Sequence, residues 1–142
     1  MISGTTALIA HMGYPTYTFK SSLIYNPWFE KNGVDAVVVP MGIKAEDYPV
    51  FFRSVFTVTN IRGALVTMPH KVTTMELVDE ISRTAQIAGA TNAVLRREDG
   101  SLLTEWQIYR MIDVQPAWAA FQYLVRERLL ADGVDVRPDG SL

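Results

Sequence analysis

The chain has 142 residues, 49% hydrophobic and 20% charged, with a formal net charge of −2 and no cysteine. That length is one domain able to bury roughly two-thirds of its unfolded surface, and the composition is that of a globule rather than a disordered chain. Disulfides, thiolate metal sites and a cysteine nucleophile are excluded; no basic stretch offers a footprint for nucleic acid, and no apolar run approaches the roughly 18 residues of a membrane span.

Thr6 to Met12 is a short apolar run stopped by Gly13 and Pro15, the pattern of a buried strand. Ser21 to Lys31 reads as a helix, with Pro27 predicting a kink or an early start and Gly33 ending it. Val34 to Pro40 is β-branched and almost wholly apolar, as in a strand covered on both faces. Lys44 to Val58 places Tyr48, Phe51, Phe52, Val55 and Phe56 at helical spacing. A third strand is expected over Gly63 to Met68, ended by Pro69, and a helix over His70 to Val78. Ser82 is a candidate cap for a short helix from Arg83 to Ala88. Ala90 to Arg96 and Leu102 to Thr104 form a hairpin about the Asp99-Gly100 turn signal.

Strands separated by helices predict right-handed crossovers. The expected fold is therefore α/β: a mostly parallel sheet sandwiched by helices, with an antiparallel edge hairpin. Beyond Thr104 the text changes. Pro116 to Ala131 carries Trp118, Phe121, Leu124, Val125 and Leu129 on one face, an amphipathic C-terminal helix that Gly133 would stop.

The segment from Gly63 to Lys71 is the most informative for chemistry. A buried strand delivers the Thr67 hydroxyl, Pro69 ends the sheet, and Lys71 follows at a helix start. Ligands of open α/β sheets bind in the crevice at the carboxyl ends of the strands. A lysine there holds an anion, or moves protons if burial lowers its pKa; the plain alternative is a solvated lysine. Ser21 and Asn92 belong to comparable strand-end loops, with Thr67 and Asn92 equally readable as a backbone-satisfied hydroxyl and a turn-forming amide. Ser21, Thr67, Lys71 and Asn92 together are neutral donors and one cation, suited to a polyhydroxylated carboxylate. His11 and His70 are read as packed or surface histidines, without the partners of a metal site.

In order, Gly13-Tyr14-Pro15, Ser21 and Asn26, Thr67-x-Pro69-x-Lys71 and Gly89-Ala90-x-Asn92-Ala93-Val94 resemble the N-terminal substrate-binding domain of the shikimate dehydrogenases, over about residues 4–104. The resemblance implies an oxidoreductase family that reduces 3-dehydroshikimate to shikimate with NADPH. It implies Lys71 as the catalytic lysine, Thr67 and Asn92 as residues holding substrate hydroxyls, and Ser21 as the second of two serines near the substrate carboxylate. Residues 1–104 would then be the substrate-binding domain and 105–142 a divergent segment. The departures are specific. Phe19 stands where the first serine is expected, Leu65 where an asparagine is, and Tyr25 where a histidine is. The family's catalytic aspartate falls on Ile108; Glu105 and Asp113 are the nearest carboxylates, and either needs a rearranged loop to replace it.

The nucleotide half of such an enzyme is missing from this chain. A dinucleotide loop needs glycines spaced by two, whereas the nine here lie at 4, 13, 33, 42, 63, 89, 100, 133 and 140. The expectation is a truncated substrate-binding domain that binds no cofactor itself, NADP belonging to the intact family. Shikimate, quinate or another cyclohexane carboxylate is the expected small-molecule partner, with no nucleic acid, membrane or metal. The start of the chain lacks the pattern of a secretory signal, so the expected location is the cytoplasm. A reading from a different class is a non-catalytic ligand-binding or interaction protein, with the Pro116–Ala131 helix covering exposed apolar surface within the chain or across a homodimer.

Overall fold

The computed structural model describes residues 2–105. The helix expected over Pro116–Ala131, the 105–142 segment as a unit and the Ile108 position lie outside the described residues.

The described chain is a six-stranded sheet between helices. Its strands are β1 (Ala7–Gly13), β2 (Ala36–Gly42), β3 (Ile61–Val66), β4 (Glu80–Ile81), β5 (Ala93–Arg96) and β6 (Leu102–Glu105). Its helices are α1 (Ser21–Lys31), α2 (Tyr48–Val55) and α3 (Arg83–Ala88). The spatial order is β2-β1-β3-β5-β6-β4. β1 pairs in parallel with β2 and β3, and β4 with β6, whereas β5 is antiparallel to both β3 and β6. Five strands thus point one way and β5 alone is reversed.

Alternation along the strands sorts the core into two layers, because successive side chains leave a strand on opposite faces. Ile9, Leu65 and Ala93 pack with Tyr25, Phe29 and Val38 beneath α1. Ala10, Met12, Ala64, Val66 and Val94 pack with Tyr48, Phe52 and Val55 of α2 on the other face. Two consecutive residues of β1 therefore serve two different cores, which is why that strand is apolar but for His11.

Several boundaries move for identifiable reasons. β2 begins two residues later than the apolar run suggests, because Val34 and Asp35 complete the turn out of α1 through Gly33, whose φ of 67° suits glycine. Pro40 is accommodated within β2 because this is an edge strand. α1 covers the expected span with Pro27 inside it. α2 is trimmed to Tyr48–Val55, with Pro49 in its first turn. The helix expected over His70–Val78 is instead one 3-10 turn, Thr73–Glu76. Thr74 Oγ1 donates back to the His70 carbonyl, and Asp79 is drawn to Leu102 at both its amide and its carboxylate. The two-residue strand β4 follows from that contact, lying outside the β5–β6 hairpin. Ser82 does cap α3, its Oγ accepting from the Ala85 amide at 3.2 Å. The hairpin turns where expected, with Asp99 accepting from the Ser101 amide and hydroxyl and Gly100 at φ 87°.

Candidate functional site

The carboxyl ends of β1 and β3 and the amino end of β5 meet at one rim of the sheet. The reversal of β5 is what brings Asn92, which precedes that strand, to the same rim as Thr67 and Lys71, which follow β3. Backbone hydrogen bonds tie the loops together: Thr67 N–H to the Met12 carbonyl (2.9 Å), Val66 N–H to the Asn92 carbonyl (2.8 Å) and Thr91 N–H to the Lys71 carbonyl (3.0 Å). Tyr14 N–H donates to the Met68 carbonyl at 3.0 Å, beside cis peptide bonds before Pro15 and Pro69. Gly13 permits this approach. A Cβ there would overlap the Thr67 methyl and come within 2.9 Å of the Met68 carbonyl and the Phe19 ring.

The loop carrying Lys71 is fixed from the α2 side by a polar network. The His70 ring stacks on Tyr48 with centroids 3.7 Å apart and planes 1° from parallel. His70 Nε2 donates to the Ile43 carbonyl at 2.8 Å, which sets its tautomer. Thr74 spends its proton on the His70 carbonyl, so the Tyr48 hydroxyl donates to Thr74, at 2.7 Å. Burial holds the Tyr48 phenol well above its ordinary pKa, and burial also lowers that of His70. His70 is thus a packed histidine, itself held in place next to Lys71. Lys71 itself is half-buried.

Asn92 supplies an open hydrogen-bonding demand. Among the described residues, its Oδ1 is the buried side-chain polar atom that has no partner. A buried carbonyl oxygen left unpaired costs roughly 1–3 kcal/mol and is normally satisfied. At this rim it is a buried acceptor without a donor.

Ser21 is the first residue of α1 and is hydrogen-bonded through its Oγ to His11 Nδ1. His11 is buried on β1, stacked on Phe19 with ring centroids 4.0 Å apart. Desolvation lowers its pKa to about 4, so the imidazole is neutral near pH 7. The sequence pointed to Ser21 but not to its partner; the available signal was a histidine inside an otherwise apolar strand. Leu65, on the neighbouring strand, is the register partner of His11. Asn26, part of the motif series, plays a structural part: its side-chain amide accepts from Val38 N–H (2.8 Å) and donates to the Val38 carbonyl (3.0 Å), closing the free edge of β2.

No group of three or more potential metal ligands converges among the described residues, and no helix among them is long and apolar enough to cross a membrane. A separate groove of about 650 Å³ lies at the opposite end of β1 and β2, lined by Thr6, Asn26, Phe29, Asp35 and Val37 among others.

Residues 12–94 match the family model of the shikimate dehydrogenase substrate binding domain. Over 102 residues the chain is 37% identical to shikimate dehydrogenase (NADP(+)) of Rubrobacter xylanophilus, covering 72% of this chain and 36% of that protein. A crystal structure of shikimate dehydrogenase in complex with NADP+ superposes with a TM-score of 0.69 at 29% identity, over 73% of this chain and 36% of the other. Shikimate 5-dehydrogenase from Listeria monocytogenes, in complex with shikimate and NAD, gives a TM-score of 0.69 at 25% identity, over 95% and 42% of the two chains. The match thus spans little more than a third of the length of the curated relatives.

Proposed function

Because the chain belongs to the shikimate dehydrogenase substrate-binding domain family, we propose that its carboxyl rim binds a shikimate-like cyclohexane carboxylate. Thr67 and Asn92 hold ring hydroxyls, Ser21 faces the carboxylate, and Lys71 donates to the hydroxyl that the family oxidises. The observation that carries this reading is the unpaired, buried Asn92 Oδ1 beside the Thr67–Lys71 loop. A ring hydroxyl donating to it would remove the cost of leaving it unpaired.

The nicotinamide cofactor of the relatives is a different matter. Among the described residues, the loop after β1 passes from Gly13 through Tyr14, Pro15 and a 3-10 turn at Thr16–Thr18, and Gly63 lies inside β3. Neither offers the paired glycines through which a backbone approaches a pyrophosphate. These residues do not fit the cofactor. We assign acid binding to this chain and hydride transfer to a nucleotide-binding unit that other residues would supply. Residues 1–104 are the proposed binding domain, and 105–142 a divergent segment whose Pro116–Ala131 stretch offers a homodimer contact. The cytoplasm is the proposed location.

Titration of the isotope-labelled full chain with shikimate tests the reading. Amide shifts grouped at Thr67, Lys71, Asn92 and Ser21 are expected. Lys71→Ala should weaken binding about tenfold, the scale of a lost hydrogen bond to a charged donor, and the purified chain should not oxidise shikimate with NADP. A spectrum unmoved by millimolar shikimate overturns the binding site. Turnover abolished by Lys71→Ala overturns the division of labour.

A further inference from the structure

We propose that His11 is a positioning residue for ligand recognition: its Nδ1–H donates to Ser21 Oγ, leaving the serine proton free for an anionic group of the ligand. The inference rests on the binding site proposed above and concerns a residue that none of its motifs contains.

A neutral imidazole has one N–H and one bare nitrogen, so the Ser21–His11 hydrogen bond exists in two forms with opposite consequences. If Ser21 donates to His11, its oxygen meets the ligand only as an acceptor and would repel a carboxylate. If His11 donates, Ser21 meets the ligand as a donor. Two features of this corner favour the second form. Ser21 opens α1, where backbone N–H groups without helical acceptors favour negative charge, so the serine proton has an electrostatic reason to point towards an anion. On the neighbouring loop Asn92 Oδ1 already supplies an unpaired acceptor, and what an anion lacks here is donors.

The departures from the family pattern converge on the same place. Phe19, where a serine hydroxyl was expected, lies flat against the His11 ring and is itself buried. Leu65, where an asparagine was expected, is the residue opposite His11 on β3. Two polar groups are thus replaced by apolar ones, and one polar group, His11, stands between them. With one hydroxyl left, fixing its direction replaces what a second would have contributed. Phe19 covers one face of the imidazole.

Long-range proton–nitrogen spectra of the full chain report the tautomer directly, with or without ligand. The expected result is a protonated Nδ1 and a bare Nε2 on His11, with the Nδ1 signal shifted in Ser21→Ala. A bare Nδ1 overturns the inference. Binding supplies the second readout. His11→Leu should lower the preference for shikimate over its uncharged methyl ester about fivefold, and His11→Asn, whose amide can donate from a similar position, should restore most of it. An unchanged acid-to-ester ratio in His11→Leu also overturns it, and because this is a ratio, general damage to the fold does not imitate the effect. If wild-type protein binds no shikimate, the proposed function fails; the tautomer still decides the role of His11.

Discussion

The two ends of the sheet are built on opposite rules. At the amino end, polar groups are paired: Asp35 accepts from the hydroxyls of Thr5 and Thr6 at 2.7 Å each, Asn60 donates to the Thr6 carbonyl at 2.9 Å, and Asn26 satisfies both backbone groups of Val38. At the carboxyl end, Asn92 Oδ1 is buried without a partner, a neutral histidine holds a serine, and the loops after β1 and β3 are pressed together around a glycine. The groove at the amino end is open in shape but shows no unpaired buried side-chain polar atom among the described residues. Hydrogen-bonding demand, more than hollow volume, distinguishes the end proposed to bind the ligand.

The sharpest way to break this contrast is at Gly13. Gly13→Ala drives a Cβ into the Thr67 methyl and crowds the Phe19 ring and the Met68 carbonyl, the last being backbone that limits relaxation. The expected cost is about 3 kcal/mol, the upper range for overpacking. Denaturant unfolding should register it, and residual folded protein should lose shikimate-induced shifts at Thr67. A variant as stable as wild type would show that the β1 and β3 loops are not held in contact.

Acid should act on the same end. The His11 pKa falls from 6.5 to about 4 on folding, and that of His70 is lowered as well, so the unfolded chain binds protons that the folded chain refuses. Stability is therefore full above about pH 6.5 and declines as pH falls towards 4, by about 2–3 kcal/mol from His11. His11→Leu should flatten that slope. Hydrogen exchange should show protection lost around Gly13 and Thr67–Thr74 before Ala36–Val38. The same slope in His11→Leu would mean that other groups carry the acid sensitivity.

Asn26→Ala attacks the amino end instead. It removes both side-chain hydrogen bonds to Val38 and opens the β2 edge, at an expected cost of about 1–2 kcal/mol. Binding of shikimate should change less than twofold once the unfolded fraction is accounted for. A large loss of affinity would place Asn26 in the ligand site rather than at the sheet edge.

How much of this was legible depended on range. The layered fold followed from local signals: the β-branched run before Pro40, the Ser82 cap and the Asp99-Gly100 turn each act within a few residues. The His70–Val78 helix is cut down to a 3-10 turn at Thr73–Glu76, where Thr74 receives the hydroxyl of Tyr48, a contact 26 residues distant in sequence. β4 escaped notice because two residues carry no periodicity and its pairing to β6 is long-range. Thr67, Lys71 and Asn92 were marked by motif, but their gathering at one rim depends on the reversal of β5. His11 gave no motif at all; its meaning depends on Ser21 and Phe19 folding back over β1.

The smallest expected effect separates the two ends most directly. Asn92→Leu replaces an amide carrying an unpaired buried oxygen by an apolar side chain of similar size. If the oxygen is there for a ligand, the free protein bears its desolvation cost without return, and the variant should be as stable as wild type or more stable by about 1 kcal/mol. The same variant should lose shikimate binding at least tenfold, since a ring hydroxyl would then face a methyl group. Stability unchanged or raised with binding lost is the signature of a polar atom kept for function. A clear loss of stability would instead make Asn92 part of the scaffold, and the rim would obey the same rule as the amino end.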